Sequence, residues 1–307
     1  MKKFILILFF VCNYFCSFSK DNIKIDSIPF RLEGDNRIYT WCKVNQSDSL
    51  YFLIDTGASD MVINSNKLSK VEMIWGDKVT NLGSTGESII PKSSNNTFHW
   101  GNTTHHDVSF ISIPYPNERW DGVLGLSILK NYTVEINYDK MHIFLYDKEN
   151  YKNENPNKLK MEFRHNVPFV ELKIKTKDRV LSAMVEIDSG SDRVIDLSTT
   201  YIAKHNLSNH FDAPYAISTI TSSDGNSGRI NNVYFDMVNF SSLVLYKVAG
   251  GWSEVQFGLL NSSECDGMIG NNMLKRFNLT LDFKSNYTYW QPNNNIYTQF
   301  YDFLIIK

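Results

Sequence analysis

The sequence predicts an all-β protein that is built from two similar halves and contains only a few short helices. Three observations lead to this fold class. Val, Ile, Thr, Tyr and Phe recur in short runs, which favours strands. The runs are closely spaced and separated by turn signals, which is typical of barrels or sandwiches rather than of a parallel α/β sheet. Finally, a set of short motifs occurs twice in the same order.

Alternating apolar and polar residues locate the clearest strands, and each half contains one pair of them. The predicted strands are residues 38–43, 50–54, 170–174 and 181–187. Polar turn residues separate the two strands of each pair, so both pairs are expected to be hairpins. The predicted helices are residues 127–130, 199–205 and 272–276.

An internal repeat relates the two halves. Each half has an aspartate turn at the end of a predicted strand, Asp55-Thr56-Gly57 in the first and Asp188-Ser189-Gly190 in the second. Each half later has an Asp-Gly segment that ends in another glycine, at residues 121–125 and 266–270. One such turn is weak evidence of anything. The ordered pair is strong evidence, because several independent segments have to match.

The N-terminus predicts a secretory signal peptide over residues 1–19. Lys2 and Lys3 give a positive start, residues 4–11 form a short apolar run, and the segment 17–19 offers small serines at the spacing that cleavage requires. Eight apolar residues are too few for a stable membrane anchor. We therefore expect an exported protein, either periplasmic or secreted.

A lipoprotein is the alternative reading of the same region. Cys12 and Cys16 lie close to the apolar run, as a lipid-anchored protein would require. The bulky residues Val11 and Phe15 precede them, where small residues are expected. Export without a lipid anchor is therefore the preferred prediction.

A polar segment divides the rest of the chain. Residues 147–160 are polar, contain Pro156 and predict a linker. The predicted domains are consequently residues 20–150 and 151–307. No later segment is long and apolar enough to span a membrane. The net charge of -2, without a basic stripe, argues against a nucleic-acid partner.

Two cysteines remain after removal of the predicted signal peptide. Cys42 and Cys265 could form one disulfide in an oxidising compartment. They could instead be buried free thiols, and this second reading is preferred because nothing in the sequence brings them together.

Two aspartates close together have a specific chemical use. Like charges a few ångströms apart cannot both ionise easily, so the pair shares one proton. The ionised member can take a proton from water, and the protonated member can donate to the carbonyl group that the water attacks. Gly57 and Gly190 allow sharp turns beside Asp55 and Asp188. The hydroxyl groups of Thr56 and Ser189 could bond across to the opposite turn and so brace the two loops.

These motifs resemble the pepsin/retropepsin class of aspartic peptidases. The resemblance is closest to bacterial secreted proteins of the aspartyl protease family that contain two retropepsin-like halves. It rests on Asp55-Thr56-Gly57-Ala58-Ser59 with residues 121–125, and on Asp188-Ser189-Gly190-Ser191 with residues 266–270. It covers nearly the whole chain after the signal peptide, from about Ile28 to Phe283.

The resemblance implies an acid protease fold of two similar β-barrel-like lobes, with one aspartate from each lobe at the cleft between them. Asp55 and Asp188 would be the catalytic dyad of an aspartic endopeptidase. The implied substrate is an extended peptide or protein, and no cofactor or metal is implied. Both halves lie in one chain, so a monomer would suffice for a complete site.

The resemblance also implies flaps, which are hairpins that close over the substrate. Residues 81–86 form a glycine-punctuated turn at the expected place, and residues 223–228 are its counterpart in the second half. Either turn could instead be an ordinary hairpin. The predicted flap tip consists of Gly83, Ser84, Thr85 and Gly86.

The second half departs from the pattern of the first. Asp192 stands where the first half has Ser59, and Glu186 stands where it has Leu53. Glu186 shares a face of its strand with Asp188, so it could raise the pKa values of the pair or could point to solvent. These departures leave a second hypothesis open, a catalytically inactive module that binds peptides or proteins on the same scaffold.

Other polar residues carry weaker signals. Asp121 and Asp266 are expected to be turn or capping residues rather than catalysts. His99, His105 and His106 have no cysteine or acidic residue at a recognisable metal-ligand spacing, so a solvated loop is the preferred reading.

Overall fold

The structure is a computed structural model that describes residues 22–115 and 118–300. The predicted signal peptide, residues 1–19, lies outside the described residues. Strands make up 51% of the described residues and helices 10%, so the fold class is all-β, as predicted. In residues 22–115 and 118–300, each helix is too short or too polar to reach across a bilayer.

The two halves contain matching series of strands. Those of the first half are β1 (Lys24–Pro29), β2 (Arg31–Leu32), β3 (Ile38–Val44), β4 (Leu50–Ile54), β5 (Met61–Asn64), β6 (Lys78–Leu82), β7 (Glu87–Trp100), β8 (Thr103–Ile113), β9 (Gly122–Leu124), β10 (Thr133–Asn137) and β11 (His142–Tyr146). Those of the second half are β12 (Lys158–Arg164), β13 (Val167–Lys175), β14 (Val180–Asp188), β15 (Ile195–Leu197), β16 (Ala216–Thr221), β17 (Ser227–Phe240), β18 (Leu243–Ser253), β19 (Gly267–Gly270), β20 (Phe277–Asp282) and β21 (Tyr287–Pro292).

Helices are short and lie between strands. The α-helices are α1 (Leu126–Leu129), α2 (Thr199–His205) and α3 (Asn271–Leu274), and 3₁₀ helices span Ser65–Lys70, Leu207–His210 and Leu259–Asn261. The side chain of Ser198 caps α2 by accepting from the N–H of Tyr201, and Asn206 ends it in the left-handed conformation. These two local signals fix the bounds of α2 at the residues that the sequence predicts.

Strand pairing closes six strands into a ring in each half. In the first half the ring runs β3-β4-β9-β5-β8-β7 and returns to β3. In the second half it runs β13-β14-β19-β15-β18-β17 and returns to β13. A closed ring leaves no unpaired edge, and the inward side chains of its strands form the core.

A third set of strands joins the halves. β10 and β20 pair antiparallel, with Val134 opposite Leu281 and Ile136 opposite Leu279. Each strand continues into its own hairpin, so the order β1-β11-β10-β20-β21-β12 crosses from one half to the other. Val134, Ile136, Leu279 and Leu281 are all fully buried. The hydrogen bonds and apolar contacts of this sheet hold the two rings together.

The core of the first half includes side chains from the second. Val167, Phe169 and Cys265 pack in the same cluster as Phe52 and Trp100. Burying an apolar side chain of this size contributes roughly 1.5–3 kcal/mol, so the contact between the halves is part of the fold. Cys42 and Cys265 are both buried and are not bonded to each other, in agreement with the preferred reading of free thiols.

The predicted linker overlaps the first residues of strand β12. Residues 147–160 were expected to lack regular structure, but β12 begins at Lys158 and pairs with β21. Leu159 is partly buried between the exposed residues Lys158 and Lys160, so polar composition conceals an alternating strand. The predicted domain boundary at residue 150 falls between β11 and β12 and stays a prediction.

Candidate active site

Two buried strands carry the predicted aspartates. β4 and β14 occupy equivalent positions in their rings, each between an antiparallel neighbour, β3 or β13, and a parallel one, β9 or β19. The last residues of both strands are buried. Asp55 directly follows β4, and Asp188 is the last residue of β14. The ring structure of each half therefore fixes where one carboxyl group lies.

The Asp-Gly segments contact the aspartate loops through backbone. A methyl group on Cα of Gly125 would lie 2.1 Å from the carbonyl oxygen of Asp60. A methyl group on Gly270 would lie 2.4 Å from the carbonyl oxygen of Arg193. Real side-chain carbons do not approach backbone oxygen so closely, so only glycine fits at either position. The repeated glycine of the sequence motif thus lets one backbone segment support the other.

Two hydroxyl groups connect the loops across the halves. The N–H of Thr56 donates to Oγ of Ser189, and the N–H of Ser189 donates to Oγ1 of Thr56, both at 3.0 Å. Oγ1 of Thr56 donates to the carbonyl oxygen of Ile187 at 2.7 Å, and Oγ of Ser189 donates to that of Ile54 at 2.8 Å. Thr56 and Ser189 are fully buried. These four hydrogen bonds hold the two aspartate loops in one register.

The same register brings the two carboxyl groups together. Each carboxyl lies against the glycine of the opposite loop: a methyl group on Gly57 would be 2.8 Å from Cγ of Asp188, and one on Gly190 would be 2.4 Å from Cγ of Asp55. Asp55 and Asp188 share a side-chain hydrogen bond. Each also accepts a backbone N–H from its own loop, from Gly57 at 2.8 Å and from Gly190 at 2.9 Å.

Burial and proximity both favour retention of a proton by the pair. Burial raises the pKa of Asp55, while the backbone N–H of Gly57 and the charge of Arg37 act to lower it. The pKa of Asp188 is raised well above its usual range by burial and by the negative charges of Asp55 and Glu186. Because the two carboxyls interact this closely, they titrate as a unit. The arrangement can hold one proton between two oxygens and still present one ionised carboxylate.

Asp121 and Asp266 bond to groups of their own half and not to Asp55 or Asp188. Asp121 accepts from the N–H of Tyr51 at 2.9 Å and from Nζ of Lys70 at 2.6 Å. Asp266 accepts from the N–H of Met184 at 2.8 Å. Asp121 therefore connects its Asp-Gly segment to β4, which precedes Asp55, and Asp266 connects its segment to β14, which ends at Asp188. This placement agrees with the expected capping role.

Glu186 and Asp192, the two acidic residues that have no acidic counterpart in the first half, lie in different environments. Glu186 is buried, 2% exposed, and Oε1 would be 3.0 Å from a methyl group on Gly57. Asp192 is exposed and faces the guanidinium groups of Arg37 and Arg193. Asp192 therefore lies near positive charge at the rim, whereas Glu186 lies inside the site.

The two predicted flap tips contact each other. Residues 83–86 form the turn between β6 and β7, and the second tip lies between β16 and β17. The N–H of Ser84 donates to Oγ of Ser222 at 2.7 Å. Oγ1 of Thr85 donates to the carboxylate of Asp224 at 2.9 Å, and the N–H of Thr85 donates to the same group at 3.2 Å. Thr85 is consequently buried, although a hairpin tip of this kind is normally exposed.

A third segment also contacts the first tip. The N–H groups of Leu259 and Leu260 donate to the carbonyl oxygens of Gly83 and Ser84, both at 3.1 Å. A methyl group on Gly258 would lie 2.3 Å from the backbone nitrogen of Gly86, so this segment also approaches as bare backbone. The tip formed by Gly83, Ser84, Thr85 and Gly86 is thus bonded on two sides by the second half.

The site includes residues that the sequence did not single out. Arg37 forms ion pairs with Asp35 at 2.9 Å and with Glu118 at 3.3 Å, and its charge acts on Asp55. The hydroxyl of Tyr115 bonds the side chain of Ser223 in the second tip, and burial together with the charge of Asp55 raises the pKa of that hydroxyl. Arg37 and Tyr115 stand in loops without a recognisable motif, so no sequence signal pointed to them.

The histidines lie away from the site. His99 and His105 bond the hydroxyls of Thr104 and Thr103 on the β7–β8 hairpin. Within residues 22–115 and 118–300, no group of three His, Cys, Asp or Glu side chains has the spacing of a metal site.

One comparison with known proteins relates part of the chain to a family. The family model described as "Aspartyl protease" matches residues 41–128. This segment contains the Asp55 turn and the Asp-Gly segment that supports it, and it ends before Asp188. The first half is therefore similar to aspartyl proteases. The search of curated proteins found no match to the chain.

Proposed function

We propose that this protein is an aspartic endopeptidase in which Asp55 and Asp188 jointly activate a water molecule to hydrolyse peptide bonds. The observation that carries the proposal is the contact of each carboxyl with the glycine of the opposite loop, together with the hydrogen bond between the two carboxyls. The similarity of residues 41–128 to aspartyl proteases supports the same activity. In this proposal Thr56, Gly57, Ser189 and Gly190 brace the two loops.

The chemistry follows from the shared proton. The ionised carboxylate takes a proton from water as the water oxygen attacks the carbonyl carbon of the peptide bond. The protonated carboxyl gives its proton to the carbonyl oxygen, which produces a neutral tetrahedral intermediate. When the C–N bond breaks, the carboxyl that took the proton from water gives it to the departing nitrogen. A hydroxyl group of the intermediate gives its proton to the other carboxylate as the new carbonyl forms, so the pair again holds one shared proton. Neither a metal nor a covalent enzyme intermediate takes part.

The substrate is proposed to be an extended peptide. Backbone groups of an extended chain can pair with a hairpin as an added strand, and the β6–β7 hairpin is suitably placed. The contact between the tips at Thr85 and Asp224 would have to open for a peptide to enter. We further propose that one chain suffices, because both carboxyls come from it, and that the N-terminal segment directs export.

Hydrolysis of an unfolded protein over an acid-to-neutral pH series tests the proposal. Wild type is expected to cleave, and Asp55→Asn and Asp188→Asn are each expected to abolish cleavage while remaining folded. Asp48→Asn, which changes an exposed aspartate on the β3–β4 turn, is the matched control and should cleave like wild type. Equal activity in wild type and both dyad variants would contradict the proposal. A folded wild type that binds peptides without cleaving them would favour the peptide-binding module.

A further inference from the structure

Glu186 is a buried acid, and one of its two carboxyl oxygens has no partner within residues 22–115 and 118–300. Its side chain is 2% exposed, and Oε2 has no hydrogen-bond partner among the described residues. Leaving a polar atom buried and unpaired is costly, and an ionised carboxylate in that position would cost more. The surroundings therefore favour the protonated form of Glu186.

The carboxyl of Glu186 lies in the proposed active site. Glu186 and Asp188 are two residues apart on β14 and so share one face of the strand. Both carboxyls lie against Gly57, since a methyl group on Gly57 would be 3.0 Å from Oε1 of Glu186 and 2.8 Å from Cγ of Asp188. The carboxylate of Asp55 accepts from the N–H of Gly57 at 2.8 Å. Three carboxyl groups therefore converge around one glycine.

The fold does not require an acid at this position. The corresponding residue of the first half is Leu53, which is 4% exposed and pairs with Val123 on β9. Glu186 pairs in the same way with Met268 on β19. An apolar side chain therefore fits the equivalent position without loss of the ring structure.

The titratable groups that face Glu186 are all acidic. Asp55 faces it from the opposite loop, Asp188 from its own strand, and the thiol of Cys265 from the turn before β19. No basic side chain among the described residues forms an ion pair with it. Burial and the charge of Asp55 raise the pKa of Glu186 to about 8, and the charge of Glu186 acts in turn to raise the pKa of Asp188.

Resting on the endopeptidase function proposed above, we propose that Glu186 is a positioning residue that holds the shared proton on the Asp55–Asp188 pair up to a higher pH. Glu186 acts through its charge and does not contact the substrate. Its effect is to extend activity toward neutral and alkaline pH.

The direction of the effect follows from the order of ionisation. The first proton leaves the pair while Glu186 is still neutral, so the acid limb of the pH profile does not depend on Glu186. The shared proton leaves in the range where Glu186 also ionises, and like charges resist each other. Removal of the Glu186 charge therefore lets the pair lose its shared proton at lower pH.

The pH profile of kcat/KM for a peptide substrate tests the proposal. Glu186→Gln and Glu186→Leu are expected to move the alkaline limb to lower pH by about 1–2 units and to leave the acid limb in place. Glu171→Gln is the control, because it removes an exposed acid from the neighbouring strand β13. An unchanged alkaline limb in both Glu186 variants would overturn the proposal, as would inactivity of both folded variants at every pH.

A titration by carbon NMR separates this inference from the proposed activity. The carboxyl signal of Glu186 is the one that is missing from the spectrum of Glu186→Gln. In wild type it should titrate well above the usual glutamate range. In Asp55→Asn it should titrate at a lower pH than in wild type. A signal that titrates in the usual range in wild type would overturn the role of Glu186 even in an active enzyme. If Glu186 titrates as expected but the protein cleaves no peptide, the proposed function is rejected and the electrostatic coupling between Glu186 and Asp55 is retained.

Discussion

Thr56 and Ser189 exchange hydrogen bonds across the two halves, each N–H donating to the hydroxyl oxygen of the other residue at 3.0 Å. Each hydroxyl in turn donates to a carbonyl oxygen at the end of the opposite strand. The two aspartate loops therefore behave as one unit, although 133 positions separate Thr56 from Ser189. Any small shift of one loop displaces the other.

The hydroxyl of Thr56 should be essential for this unit. Thr56→Val keeps the shape of the side chain but leaves the N–H of Ser189 and the carbonyl of Ile187 unpaired in a buried place. We expect it to lower the free energy of unfolding by about 2–4 kcal/mol, as measured by urea denaturation. Misplacement of the carboxyls should also lower kcat by about 10- to 100-fold.

Thr56→Ser is the matched control, because Ser189 performs the same role in the opposite loop. It should stay within about 1 kcal/mol of wild type, since the hydroxyl remains and only one methyl group is lost. Equal stability of the valine and serine variants would show that the cross-loop hydrogen bonds do not hold the loops together.

The contact between Thr85 and Asp224 should hold the hairpin tips closed. Asp224→Ala removes the acceptor for both the N–H and the hydroxyl of Thr85. We expect the amide hydrogen of Thr85 to exchange about tenfold faster, which corresponds to about 1.4 kcal/mol for charge-assisted hydrogen bonds. Glu87→Ala, an exposed change on the same hairpin, should leave this exchange rate as in wild type.

The same contact should depend on pH in a defined direction. Burial acts to raise the pKa of Asp224, but hydrogen bonds from Asn226, Ser222 and Thr85 outweigh it and lower the pKa overall. A lowered pKa means that the contact is fully present above the usual aspartate range and is lost as the pH falls through the lowered value. Tips that stay closed in wild type when Asp224 is protonated would contradict this account.

The stability of the protein should fall as the pH rises through neutrality. Burial and Asp55 raise the pKa of Glu186 from 4.5 to about 8. Because the folded protein holds the Glu186 proton more tightly than the unfolded chain does, this group stabilises the folded state. The contribution is fully present below pH 4.5 and is lost between pH 4.5 and about 8. The loss is about 3–5 kcal/mol by linkage. Glu186→Gln should flatten the curve of unfolding free energy against pH over this range, whereas Glu171→Gln should follow wild type.

The buried ion pair of the second half should be costly to break. Nε and Nη2 of Arg193 donate to the carboxylate of Asp196 at 2.8 and 2.9 Å, and both side chains are at most 9% exposed. Arg193→Met leaves that carboxylate buried and unpaired, so we expect a loss of about 3–5 kcal/mol in the free energy of unfolding.

An exposed ion pair provides the comparison. Lys177 and Asp212 lie 3.4 Å apart with side chains 69% and 92% exposed, and Lys177→Met should change stability by less than about 1 kcal/mol. Similar losses for the two substitutions would show that burial does not set the cost of breaking the pair at Arg193.

Local signals predicted several elements, among them the strand that precedes Asp55. Strand β4 and helix α2 have the predicted bounds, because apolar alternation and capping residues act over a few neighbouring positions. The repeat also located both aspartate turns, and the resemblance to aspartic peptidases indicated both hairpin tips. The contact between the tips at Thr85 and Asp224 joins residues 139 positions apart, so no local pattern contains it.

The sequence did not predict which side chains surround Asp55 and Asp188. Glu186 could have pointed to solvent or to the dyad, since alternation gives the shared face of a strand but not what covers it. The structure resolves this choice because the opposite loop places Gly57 against both carboxyls. Arg37 and Tyr115 reach the site from irregular loops, whose course depends on tertiary packing. Polar composition likewise concealed the start of β12 at Lys158.

The central claim is that Asp55 and Asp188 act as one acid–base pair, and a double-substitution cycle tests it most directly. Initial rates of peptide hydrolysis would be compared for wild type, Asp55→Asn, Asp188→Asn and the double variant at the optimum pH of wild type. Each single variant should lose about 10³-fold or more, and the double variant should lose no more than either single one. Wild-type rates in either folded single variant, or losses that multiply in the double variant, would contradict the claim.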